Sequence, residues 1–290
     1  MRVAAFTEPG PPDVLRLLDV PTPSPGPGEV RVRVRAAGVQ PYDAAVRAGW
    51  APPGVVLDWP RIPGNEFAGV TDDGVEVLGF STLKAYAEYV VVPRNQVTAK
   101  PLAMPWVVAG GFSAGAQTAH IALETLGITE DDTLLIHGAA GAVGTIAVQL
   151  AGMAGATVVG TASAANQDYL RSLGAIPVVY GDGLADRVRD HKPTAVLDGA
   201  GGVALDISLD LVKDRDRVLT LVEHERAQRE GIKVTPYGRS DTRLAHLANL
   251  YAEGKLSFHV RRTVDLEDAK DAHREIETGH GRGKLVLTVE

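Results

Sequence analysis

The chain of 290 residues contains no cysteine. Disulfides, thiolate nucleophiles, iron–sulfur clusters and every thiolate zinc site are excluded with it. Long apolar runs are also missing: the best candidate, 146–159, is broken by Gly152 and Gly155, and a membrane helix needs about 18 uninterrupted apolar residues. There is no basic run, and the net charge is −7, so nothing points to nucleic acid. The opening Met1-Arg2-Val3-Ala4-Ala5-Phe6 turns polar at Thr7-Glu8, unlike a signal peptide, which makes the cytoplasm the expected location. None of the eight histidines forms a His-x-x-x-His pair beside an acid, so no metal site is expected. What remains, 45% apolar and 22% charged residues, is the composition of an ordinary globular protein long enough for two domains.

The first hundred residues read as β-rich. Glu29-Val30-Arg31-Val32-Arg33-Val34-Arg35-Ala36 alternates strictly, as a half-buried strand does, with the arginines on its solvated face. The proline-rich stretch Pro21–Gly28 before it must be a loop. Further strands are expected at Arg2–Phe6, Phe67–Thr71, Val75–Gly79 and Ala87–Pro93, which suggests a small barrel or sandwich. From about Met104 the texture changes. A helix over Trp106–Leu126 leads to the apolar run Thr133–His137, the mark of a buried parallel strand. A glycine-rich turn, a helix over 142–153 and a second apolar strand at 156–161 follow. Strand–helix alternation then continues to about residue 222, as in a doubly wound parallel sheet. A helix over 241–253 and a strand–helix–strand tail close the chain.

Gly138-Ala-Ala-Gly141-Ala-Val-Gly144 lies between an apolar strand and a helix, the context in which a glycine loop binds a dinucleotide. A side chain at Gly141 would hold the backbone away from a pyrophosphate, while the helix N-terminus offers free N–H groups and a positive dipole end. The spacing is G-x-x-G-x-x-G rather than G-x-G-x-x-G, and a plain glycine-rich turn is the alternative. The second strand ends Val159-Gly160-Thr161-Ala162-Ser163-Ala164-Ala165 without the acid that bonds the adenosine ribose of NAD. No carboxylate would repel a 2′-phosphate there, and Ser163 and Asn166 are placed to hydrogen-bond it. NADPH is therefore the expected cofactor.

The stretch Thr133–Ala151 resembles the cofactor loop of zinc-independent quinone oxidoreductases of the medium-chain dehydrogenase/reductase superfamily. So do Ala37-Gly38-Val39-Gln40-Pro41-Tyr42-Asp43, Pro63-Gly64-Asn65-Glu66-Phe67-Ala68-Gly69, Tyr86–Pro93 and Thr278–Leu287. The likeness covers essentially the whole chain. It implies a GroES-like β-barrel domain from 1–100 and 256–290, and a Rossmann domain over 101–255, with the active site in the cleft. It also implies NADPH-dependent hydride transfer to a quinone or another conjugated carbonyl compound, and a homodimer. Zinc-dependent relatives carry Cys and His where this chain has Gln40 and Asn65. The segment Val70–Phe80 is shorter than the family's hairpin there, and quinone-reducing members commonly have Asn in place of Gln40.

The candidate catalytic residues are Gln40 and Tyr42, expected to hydrogen-bond a carbonyl, with Tyr42 or solvent supplying a proton; alternatively Tyr42 packs against the cofactor. Asp43 is expected to brace its loop. The cofactor-binding candidates in the glycine loop are Gly138, Ala140, Gly141, Ala142, Val143 and Gly144. Beyond it they are Ser163, Asn166, and the strand-end residues Asp198, Gly199 and Ala200. Thr118 near the nicotinamide, Tyr180 beside the adenine and Lys284 near the nicotinamide ribose follow from the resemblance. Two other readings stay open: a non-redox step such as a cyclisation on the same scaffold, and a nucleotide-sensing protein without turnover.

Overall fold

In the computed structural model, which describes residues 1–52, 54–55 and 58–290, Val30, Val32 and Val34 are buried while Arg33 and Arg35 face solvent. The strict alternation thus does what a half-buried strand requires. Two short strands, β1 (Arg2–Ala5) and β2 (Arg16–Asp19), pair antiparallel ahead of it. The alternating run opens β3 (Glu29–Val39), which is longer than expected and ends in the fully buried Ala36-Ala37-Gly38-Val39. Helix α1 (Pro41–Arg47), β4 (Glu66–Thr71), β5 (Glu76–Phe80), β6 (Tyr89–Pro93) and β7 (Val97–Ala99) follow. Strands β4 and β5 form a tight hairpin about Asp72-Asp73-Gly74, closed by the Thr71 and Val75 backbones at 2.9 Å. The shortened segment is therefore a complete, minimal hairpin.

Helix α2 (Trp106–Leu126) leads into β8 (Thr133–His137), α3 (Ala142–Met153), β9 (Thr157–Ala162), α4 (Gln167–Ser172) and β10 (Ile176–Val179). Next come α5 (Leu184–Arg189), β11 (Ala195–Asp198), α6 (Gly202–Leu211), β12 (Val218–Thr220), α7 (His224–Glu230) and β13 (Lys233–Val234). Strands β8 to β13 make one wholly parallel sheet in the order β10-β9-β8-β11-β12-β13, the doubly wound arrangement. Its core joins Leu135, Val159, Val196 and Val218 of the strands to Leu205 and Leu209 of α6. The pair α7–β13 went unforeseen because His224–Glu230 is almost wholly polar and buries only Ala227.

The chain ends with α8 (Asp241–Ala252), β14 (Val260–Asp265), α9 (Ala269–Ile276) and β15 (Lys284–Thr288). Strand β15 pairs antiparallel with the end of β3, placing the tail in a seven-stranded sheet with order β14-β15-β3-β4-β5-β7 and β6 on the other part of β3.

The fold is α/β, and its contacts divide it into two units: Met1–Ala114 with Ser240–Lys255 and His259–Glu290, and Gly115–Arg239 with Leu256–Phe258. These boundaries differ from the expected 100 and 256. Residues 101–114 group with the first unit because a side chain at Gly110 would meet Ala36, and one at Gly111 would meet Lys284 and Val286, at under 3 Å. Helix α8 groups there because it packs on β7. Such backbone contact depends on tertiary neighbours and leaves no periodic signal.

Candidate nucleotide and polar-cluster sites

In the second unit β8 is the switch point of the sheet: the chain leaves it for β9 on one side and returns to β11 on the other. Ligands of doubly wound sheets bind at the carboxyl ends of strands flanking such a point. Two glycine-rich turns stand there together. Gly138, at φ +72°, turns the chain out of β8, and Gly141 is the residue before α3, with no side chain covering the first amides of that helix. A Cβ at Gly144 would fall 2.5 Å from the Gly138 carbonyl oxygen and 2.6 Å from the Ala139 Cα, so only glycine lets the helix start this close to the strand. The turn after β11 meets the first one directly: the Gly199 amide donates to the His137 carbonyl at 3.1 Å. The Asp198 carboxylate, fully buried, accepts the amides of Ala200 at 3.0 Å and Gly201 at 2.8 Å, and the Thr220 hydroxyl at 2.8 Å. Asp198 thus shapes its turn and has little capacity left for a ligand.

The first three amides of α3, on Ala142, Val143 and Gly144, precede the first helical bond, made by Thr145 to Gly141 at 2.8 Å. They and the dipole of a twelve-residue helix form a cradle for an anionic group, open because Gly141 carries no Cβ. Beyond β9, Asn166 donates to the Ser163 hydroxyl oxygen at 3.1 Å, so these two candidates are joined. Tyr180, half exposed, follows β10, its amide donating to the Ala162 carbonyl at 3.2 Å. The residues present fit a dinucleotide. Thr118 lies in the same unit, half-buried on α2.

The first unit holds a buried polar cluster. The Glu66 carboxylate is fully buried and takes the Lys284 ammonium at 2.5 Å, the Ala114 amide at 2.7 Å and the Gln40 side-chain amide at 3.2 Å. Gln40 also donates to the Asn65 side-chain oxygen. A Cβ at Gly38 would sit 2.1 Å from Glu66 Oε1, so that glycine exists to make room for the ion pair.

Two family models match the chain. Residues 26–77 match the family model described as alcohol dehydrogenase GroES-like domain, and residues 173–287 the one described as zinc-binding dehydrogenase. The chloroplastic quinone-oxidoreductase homologue of Spinacia oleracea is 27% identical, over 96% of this chain and 95% of its own. The structure of the quinone oxidoreductase from Coxiella burnetii superposes with a TM-score of 0.88 at 29% identity, covering 100% of this chain and 99% of that one. The chain belongs to the quinone oxidoreductase family of the medium-chain dehydrogenase/reductase superfamily. Its first unit carries the family's GroES-like domain and its second the Rossmann-type parallel sheet. A mitochondrial NAD(P)H oxidoreductase of Danio rerio is a further relative, 26% identical over 88% of this chain and 82% of its own. Among the described residues no helix is long and apolar enough to cross a membrane.

The structure gives partners to several residues that the sequence singled out in this quinone oxidoreductase relative. Tyr42 is on a helix, not in a loop, and its hydroxyl donates to the Thr82 carbonyl at 3.1 Å. Gln40 is the residue capping that helix, and its side-chain amide N–H groups point into the cluster. Lys284, expected beside a nicotinamide ribose, is 4% exposed and held by Glu66. Proline at the first helical position with an acid at the third was the available signal for α1. Asp43 does brace its surroundings: it accepts the amides of Gln40 at 2.9 Å and Gly64 at 3.0 Å and the Tyr86 hydroxyl at 3.1 Å. His137 was not singled out, yet its ring joins Thr161 and Ser208 at 3.0 Å each.

These buried groups make stability depend on pH. Burial draws His273 down to about 3, helped by the Arg47 cation, and draws His137 down to about 4 against the opposing pull of Asp198. Below the ordinary histidine value of 6.5 the unfolded chain takes up protons that the folded chain refuses, so both groups weaken the fold as pH falls. Burial lifts Asp43 to about 7, offset in part by Lys284, so this carboxyl works in reverse and adds stability between about pH 7 and pH 4. Two losses against one gain leave a net loss in acid. His273→Gln is expected to remove about 2 kcal/mol of the stability lost between pH 7.5 and pH 5. Urea midpoints at both pH values read this out, and an unchanged pH dependence in the variant would refute it.

Proposed function

We propose that the protein is an NADPH-dependent reductase of a quinone or another α,β-unsaturated carbonyl compound. The observation that carries this reading is the pair of glycine turns after β8 and β11, in contact at the switch point of the sheet beside the open amides of α3. The quinone- and NAD(P)H-oxidoreductase names of the relatives support the same class of chemistry. Gly138, Ala140, Gly141, Ala142, Val143 and Gly144 would hold the pyrophosphate; Ser163 and Asn166 the adenosine 2′-phosphate; Tyr180 the adenine; and Thr118, Gly199 and Ala200 the nicotinamide half. The bound nucleotide supplies a hydride.

The chain's own part is to hold and polarise. Gln40 and Tyr42 are proposed to face the acceptor. Because Tyr42 shares its proton with the Thr82 carbonyl and both N–H groups of Gln40 are engaged, a substrate oxygen must displace one of these bonds to be polarised. The final proton then comes from Tyr42 or from solvent. The compact hairpin at Val70–Phe80 removes bulk, and the preferred acceptor is expected to be larger than a simple quinone.

NADPH is expected to bind modestly more tightly than NADH, since no carboxylate follows β9 and no cation replaces it. Fluorescence titration of both nucleotides, with NADPH oxidation at 340 nm against quinones and enones, tests the proposal. Tighter NADH binding would overturn the cofactor, and NADPH binding with no oxidation of any acceptor would shift the reading to a non-redox step.

Metal is proposed to play no part: Lys284 already neutralises Glu66 beside Gln40 and Asn65, a set that offers one carboxylate and two amides. Activity is expected to survive EDTA, and stoichiometric zinc by elemental analysis would refute this. A cytoplasmic homodimer completes the proposal.

A further inference from the structure

A second feature of the first unit uses neither the glycine turns nor the Glu66 cluster. Arg61 is only 8% exposed, and its Nε is fully covered without a hydrogen-bond partner. Its guanidinium carbon lies 4.5 Å from the Trp59 ring centre and 5.8 Å from that of Phe6. The backbone is pinned as well, since Arg61 and Phe6 exchange both amide bonds, at 2.8 and 3.0 Å. Among the described residues no carboxylate or carbonyl takes the guanidinium. Burial lowers its pKa and no neighbouring charge raises it back, unlike Arg226, Arg274 and Arg2, which carboxylates hold up. Only Nε is covered; the terminal nitrogens reach solvent, and the two rings hold the group in one orientation.

Arg61 lines a cavity of about 300 Å³, the lower end of the range for small-ligand sites. Pro60, Leu83 and Val91, each partly exposed, give it apolar surface, and Lys84 adds a second cation. Lys84 adopts φ +79°, a backbone conformation that a non-glycine residue holds only where its surroundings impose it. Asp58, also in the lining, forms no ion pair with Arg61.

We propose that this cavity binds a small organic carboxylate, its anionic end on the terminal nitrogens of Arg61 and its apolar body against Pro60, Leu83 and Val91. A carboxylate matches the planar guanidinium with two parallel bonds to its terminal nitrogens. The apolar walls and the nearby Asp58 disfavour a doubly charged phosphate. The cavity borders Thr82, whose carbonyl takes the Tyr42 hydroxyl, but uses neither the glycine turns nor the Glu66 cluster, so cinnamate binding and NADPH binding can fail separately.

Trp59 supplies the readout: it is half exposed and stacked on Arg61, so a ligand there alters its fluorescence. The full chain is titrated with trans-cinnamate, its neutral amide and inorganic phosphate, with Trp59→Phe identifying the signal. Saturable cinnamate binding is expected, with the amide and Arg61→Met each weakening it at least about tenfold by loss of the charged pair. Lys84→Gly should fold at least as stably, since glycine suits that φ, yet bind cinnamate more weakly; Asp58→Asn should bind it more tightly. Should Arg61→Met fail to fold, these two opposed shifts carry the test. Absence of saturation, equal binding of acid and amide, phosphate outcompeting cinnamate, or unchanged affinity in Lys84→Gly and Asp58→Asn would each overturn the proposal.

Discussion

Gly141→Asp is expected to weaken NADPH binding by more than about 100-fold, or about 2.7 kcal/mol, while leaving the fold intact. The two halves of this expectation come from one position. Gly141 precedes α3 with extended backbone, φ −74° and ψ 176°, where aspartate is among the preferred residues because its carboxylate accepts the open amides of the first turn. Its Cβ would lie 3.3 Å from the Gly138 carbonyl oxygen, a contact that a small shift relieves. The introduced charge therefore stabilises the helix by occupying the same amides that would receive the pyrophosphate, and repels the phosphates besides. Gly141→Ala, which adds bulk without charge, should lose less. Isothermal titration with NADPH, beside a thermal melt of each variant, separates folding from binding. Retained affinity in a folded Gly141→Asp protein would show that the dinucleotide does not use this turn.

Lys284→Met is expected to cost about 3–5 kcal/mol of folding stability, because it strands a buried carboxylate. Glu66, fully buried, would keep only the Ala114 amide and the Gln40 side chain as donors. Methionine follows the path of the lysine stem past Gly38 and Gly111, so steric change is small and the loss reports charge. Removing both charges should cost less than removing one: the double variant Lys284→Met, Glu66→Leu is expected to recover part of the stability. Urea unfolding of the three proteins decides it, and a single variant within about 1 kcal/mol of the parent would refute the role assigned to this pair.

The parallel sheet was legible because its strands are apolar runs bounded by glycine, and helix α3 was placed at its observed ends, 142–153, by the glycine turn before it and the Gly155 stop after it. Helix α1 is marked by Pro41 and Asp43, but the resemblance around Tyr42 implies a loop there. The Glu66–Lys284 pair joins residues more than two hundred positions apart, and no local pattern announces such a partner. The same holds for Arg61, whose significance lies in the partner it lacks.

By itself, the sequence determined the fold class, the strand–helix alternation, the location of the glycine turn and the exclusion of thiolate chemistry. Each of these depends on near neighbours: side-chain period, backbone freedom at glycine, and the presence or absence of one atom type. Tertiary structure alone decided that residues 101–114 and 240–255 join the first unit, that Tyr42 gives its proton to Thr82, that Lys284 answers Glu66, and that the turns after β8 and β11 touch. Hydrogen bonds and ion pairs act over a few ångströms whatever the separation along the chain, so only the folded backbone determines which groups come within reach.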